Sequence, residues 1–218
     1  MDSIPPESAA PAKRRPLYLV AALVVSFLMG AAGCSQGYGG IGAYRTDPVL
    51  IPGALDGASE ARRAAVEQAL ANLVSVMDAH KRTGLPLTIA AFLIGFAMMT
   101  LTVSAFMRRT GSPRLLAQMV FAQMVLVVVT FFAQPEVRWA ERDLVRAQQL
   151  ARTEATAKTD EERRQVVEVE QVLVKALPPA LAVVLVVRTM LAGLVVLALT
   201  RRRTREYYDD ARAPISER

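Results

Sequence analysis

The sequence predicts an all-α fold: an integral membrane helical bundle of four spans, or three if a signal-like first block is removed. Charged helices outside the bilayer would form a small stalk. Three observations predict this. The 218 residues are 53% hydrophobic and 21% charged, with a mean hydropathy of +0.29. The apolar residues lie in long blocks at 17–32, 85–107, 115–133 and 180–199, rich in Ala, Val and Leu, and the longer ones approach or exceed the ~20 residues that a spanning helix needs. The charges lie between the blocks and alternate in sign balance. Segments 1–16, 108–114 and 201–218 hold 12 Lys/Arg against 6 Asp/Glu, while 34–84 and 135–177 hold 13 against 14.

Basic excess in alternate loops is the positive-inside pattern. It places 1–16, 108–114 and 201–218 in the cytoplasm and the other two loops outside a bacterial inner membrane. It also accounts for the net charge of +6, so nucleic acid is not expected as a partner; the lipid bilayer is.

Residues 1–16, with four prolines, read as a disordered tail. The segment 17–33 is a first transmembrane helix or a signal-like segment, since a basic stretch, Lys13-Arg14-Arg15, precedes a short apolar block and small residues follow. Ala31-Ala32-Gly33-Cys34 resembles a bacterial lipoprotein lipobox over those four residues, departing from it at Ala31, where Leu is usual. The resemblance implies lipidation of Cys34 after cleavage; otherwise Cys34 is a small residue at a helix end. From Cys34 the chain is rich in Gly, with Pro48 and Pro52, and reads as an irregular extramembrane loop with Tyr38 and Tyr44 at headgroup level, although extension of the short first block through the uncharged Cys34–Gly42 stretch would carry it to the far interface.

An amphipathic helix follows, capped by Ser59 and running from about Glu60 to Arg82, with Val66, Leu70, Leu73, Val74 and Met77 on one face. Thr83-Gly84 ends it and Pro86 opens the next block. Residues 85–134 form a transmembrane hairpin closed by Arg108, Arg109, Gly111, Ser112, Pro113 and Arg114. Residues 135–177 form an extramembrane helical hairpin that turns near Lys158, with Thr159 capping its second arm and Val166, Val169, Leu173 and Leu177 on one stripe. Pro178-Pro179 opens the last span, 178–200, and 201–218 is a basic tail. The apolar stripes of the outer helices pack on one another or receive a partner's helix.

Arg188 lies near the middle of the last span, where an arginine costs at least about 2.5–3.5 kcal/mol and marks a functional site unless it snorkels to water. No Asp or Glu lies in any block. Its candidate mates are Gln118, Gln123, Thr100, Thr102, backbone carbonyls, or a carboxylate of another subunit. Gln118 and Gln123, five apart, do not share a helix face and suit interhelical hydrogen bonding. A lone cysteine and a lone histidine, His80, exclude an intramolecular disulfide and a multi-histidine metal site. No P-loop, GxSxG or HExxH frames a catalytic residue, so neither an enzyme nor a cofactor is expected. The sequence leads to a non-enzymatic interaction or assembly component of an inner-membrane complex, with a protein partner met through the outer helices or Arg188. The alternative is a small channel or transporter component, a homo-oligomer whose pathway is lined by Arg188, Gln118 and Gln123.

Overall fold

The computed structural model describes residues 15–45, 56–109, 111–156 and 160–209, and for 160–178 it is the helical backbone that is described. The described residues form seven helices: α1 (Leu17–Arg45), α2 (Glu60–Ala79), α3 (Lys81–Phe106), α4 (Ser112–Ala133), α5 (Pro135–Thr156), α6 (Asp160–Thr200) and α7 (Arg202–Asp209). Four segments are long and apolar enough to cross a membrane: Leu17–Arg45, Lys81–Phe106, Ser112–Ala133 and Pro179–Thr200. The chain is a multi-pass membrane protein.

The four spans form an up-down-up-down ring in which α1 packs on α3, α3 on α4, α4 on α6 and α6 back on α1. Arg15, Arg108 and Arg201 gather at one end, here the basic end; α2 and α5 pack on each other beyond the opposite, stalk end.

The first span is longer than its apolar block. α1 does not stop near Gly33 but runs on through the glycine-rich stretch to Arg45, so residues 34–45 are helix, not loop. The reason is packing. Leu19, Leu23, Ser26, Gly30, Gly33, Gly37, Gly40 and Tyr44 recur at alternating steps of four and three, a single helix face. That face meets α3. A Cβ on Gly95 would lie 2.6 Å from the Cys34 nitrogen and 2.7 Å from the Gly30 carbonyl oxygen, and one on Gly37 would lie 2.5 Å from the Phe92 nitrogen. The glycines let two backbones touch, as small residues do between membrane helices, and in lipid the helix is the state that satisfies their peptide groups.

In the basic half the same face carries larger residues, and Leu19, Leu23, Met98, Leu116 and Val120 are fully buried there. α7 closes that end. Tyr207 and Tyr208 are buried, and the Tyr208 hydroxyl donates to the Ala105 carbonyl at 2.8 Å. Arg15 donates to the Phe106 carbonyl at 2.7 Å, and Arg108 bonds the Tyr207 hydroxyl. Part of the segment expected to be a polar tail is therefore a latch on the bundle.

At the stalk end two boundaries and one cap differ from expectation. The break between α2 and α3 falls at His80, not at Thr83-Gly84. The His80 ring donates through Nδ1–H to the Val76 carbonyl at 3.0 Å, and Gly84 and Pro86 lie inside α3. Gly84 is required because the Tyr44 hydroxyl rests on it. Tyr44 is thus buried beside Leu73, Met77, Val137 and Ala140, where it joins the spans to the stalk, while Tyr38 is exposed. Ser59 holds the N-cap position of α2 without a side-chain capping bond; its hydroxyl serves Glu154 of α5 instead. Finally, α6 runs through Pro178-Pro179 without a break, as neighbouring helices allow for proline at a membrane boundary. The turn near Lys158, the Thr159 cap, residues 1–14 and the segment 46–55 lie outside the described residues, as do the side chains of Val166, Val169, Leu173 and Leu177.

Candidate functional site: a polar cavity ending at Arg188

α6 holds to the ring by its basic half. Ala192, Val195 and Leu199 are buried there, but no residue from 179 to 191 is. The two halves pack differently because the side chains that meet α6 differ. In the stalk half α1 turns Gly33 and Gly37 towards α3 and α4, and it meets α6 through the hydrogen bond of Gln36 with Arg188.

Arg188 sits nine residues below Pro179, about 14 Å along the helix axis. One guanidinium nitrogen donates to Oε1 of Gln36 on α1 at 3.3 Å. Among the described residues no carboxylate lies within ion-pair distance of it. Gln123 of α4 stands beside them and is 5% exposed. Its amide lies against bare backbone, since a Cβ on Gly33 would come within 2.7 Å of Nε2. Its Oε1 is buried and unbonded.

These three side chains floor a cavity of about 490 Å³ that opens towards the stalk. Its walls rise from Gln123 to Gln134 along α4, eleven residues or about 16 Å. Thr88, Thr130 and Tyr44 add hydroxyls, and Arg138 and Glu141 of α5 stand at the mouth. Gln134 is 7% exposed, its side chain set against the Tyr44 hydroxyl. The Arg138 guanidinium lies 3.6 Å from the centroid of the Phe131 ring, a cation–π contact that holds it aside. Partial burial in the groove raises the Glu141 carboxyl above its usual value, an effect limited by the exposure of the residue at the mouth. A second cavity of about 70 Å³ continues past Gln36, Gln123 and Arg188 between α1, α4 and α6. Below it the fully buried Leu23, Leu116 and Val120 fill the interior.

The sequence singled out Arg188, Gln123, Gln118 and Cys34. The structure brings Arg188 and Gln123 together. Gln118 is exposed and lies near Arg114, Arg205 and Tyr208 at the basic end. Thr100 and Thr102 bond carbonyls of their own helix. Cys34 lies inside α1, its thiol 3.6 Å from the Phe92 carbonyl; cleavage before it would remove Leu19, Leu23, Ser26 and Gly30 from the core. Sequence reasoning missed Gln36, because α1 was expected to end before it. The alternating four-and-three spacing of the glycines was the signal that could have found it.

His80 stands apart at the α2–α3 junction, its Nε2 3.5 Å from Glu136. Among the described residues no three His, Cys, Asp or Glu side chains gather as a metal site would require. Comparison with protein families, with curated proteins and with solved structures finds no match for this chain.

Chemically, the arrangement offers Arg188, three amides and several hydroxyls around a space of ligand size, with Arg138 and the Glu141 carboxylate at its mouth. It can hold an anion and orient it. It presents no nucleophile paired with a base.

Proposed function

We propose that this protein is a non-enzymatic interaction or assembly component of a bacterial inner-membrane complex. The observation that carries the reading is Arg188, a cation within a span that bonds the neutral Gln36 and, among the described residues, has no carboxylate within ion-pair distance to serve as the counter-charge that intramembrane arginines are paired with. The anion that completes it comes from outside the described chain. The stretch 179–191 of α6, exposed or half-buried throughout, gives a partner access to that side of the bundle, and the α2–α5 stalk offers a second surface. The charge distribution supports cytoplasmic termini and a stalk outside the cytoplasm.

The channel reading draws less support. A single copy has no through-path, because Leu23, Leu116 and Val120 fill the half below Gln123; any pathway would have to lie between copies.

Arg188→Leu separates the readings. An assembly component loses its complex on substitution, seen as disappearance of the high-mass species in mild detergent. In a channel component the oligomer survives and flux changes. If neither moves, Arg188 is a snorkelling residue and the assignment fails.

A further inference from the structure

We infer that the cavity between α1, α4 and α5 binds a small oxyanion head, a phosphate carrying a neighbouring hydroxyl or amine donor, with its charge on Arg188. The inference rests on Arg188 as the anion site and identifies the anion. Three features select the chemistry. Arg188 provides planar donors suited to an oxyanion. Gln123, nine-tenths buried, lines the space and carries a buried, unbonded Oε1, which calls for a donor on the same ligand. Gln134, further along and beside the Tyr44 hydroxyl it bonds, adds a polar wall to the space.

Size decides against a partner helix as the occupant. The cavity holds about 490 Å³, within the range of small-molecule sites, whereas a helix with its side chains is about 10–12 Å across. Apolar walls from Leu87, Leu126 and Val127 accommodate a short hydrocarbon portion. Entry is open from the stalk end, and the unburied stretch 179–191 of α6 leaves the floor near the lipid phase. The head can therefore belong to a free solute or to an anionic lipid.

The test uses the full chain in nanodiscs. In phosphatidylcholine discs, glycerol 3-phosphate is titrated and binding is followed by calorimetry. In discs containing phosphatidylglycerol, native mass spectrometry counts the lipids retained after the disc is stripped. A free solute gives saturable glycerol 3-phosphate binding; a lipid gives retained phosphatidylglycerol and no solute binding. In either case Arg188→Gln weakens binding roughly tenfold to a hundredfold, the scale of a hydrogen bond to a charged group. Gln123→Leu, which keeps the charge, weakens it by about fivefold to tenfold. Should Arg188→Gln fail to fold, Arg188→Lys and Gln123→Leu carry the same comparison. Absence of binding in both arms overturns the proposal, as does binding that both variants leave unchanged. A protein partner lost on Arg188→Leu, with no oxyanion bound in either arm, would retain the assembly reading and sink this one.

Discussion

Substituting Gly95 by Ala adds one methyl group where α1 and α3 are closest. That carbon would lie 2.6 Å from the Cys34 nitrogen, 2.7 Å from the Gly30 oxygen and 2.9 Å from the Gly33 carbonyl carbon, against 3.4 Å or more for ordinary contact. All three are backbone atoms, so no rotamer change relieves the clash. The helices must part by the difference, about 0.8 Å at the tightest point. A gap of that size forfeits roughly a quarter to a half of the dispersion attraction along the seam, and overpacking of this kind costs about 1–3 kcal/mol. Alanine recovers about 0.5–1 kcal/mol over glycine in a helix. The net expectation is a loss of about 1–2 kcal/mol, or roughly tenfold in the ratio of folded to unfolded protein. Gly39, on α1 but off the seam, has nothing within 4 Å of its Cβ position, so Gly39→Ala gains the propensity term alone. Reversible unfolding of both variants in mixed micelles, followed by circular dichroism, reads the sign. Equal stability for the two, or a loss at Gly39, would refute the glycine seam between α1 and α3.

Two further outcomes follow from the stalk and the latch. Glu154 sits below the usual carboxylate range, chiefly because Ser59 donates to it and also because Arg62 lies 3.3 Å away. A depressed carboxyl stabilises the fold above its unfolded pKa, and the contribution is lost as pH falls through the folded value. Hydrogen exchange at the start of α2 should therefore quicken below about pH 4, and Glu154→Gln should remove that pH dependence. Tyr208→Phe deletes the buried bond to the Ala105 carbonyl and should cost about 1 kcal/mol, detectable as earlier proteolysis of α7 with the four spans still folded.

Much of the architecture was legible because lipid imposes simple rules. The spans at 85–107, 115–133 and 180–199 read directly from apolar length, and Gly111-Ser112-Pro113 from turn chemistry. What was not legible came from contacts between distant segments. The stretch Cys34–Arg45 has a loop-like composition, yet it is helix because α3 offers Gly95, Phe92 and Thr88 to its glycines. Residues 202–209 look polar in isolation, and only the ends of α1, α3 and α6 make Tyr207 and Tyr208 core residues. Ser59 had the right position for a cap, but Glu154, ninety-five residues on, took its hydroxyl. At the site, Arg188 and Gln123 were visible as polar residues in apolar blocks. Their meeting, and the part of Gln36, depended on the length of α1 and on where α6 leaves the ring.

The most direct test of the central claim, that Arg188 holds an anion supplied from outside the chain within an assembled complex, is purification of the intact wild-type protein in mild detergent with native mass spectrometry of everything retained. The account predicts a stoichiometric second protein or a retained oxyanion species, with the first helix of this chain uncleaved. A bare, uncomplexed monomer that carries no bound anion would contradict it.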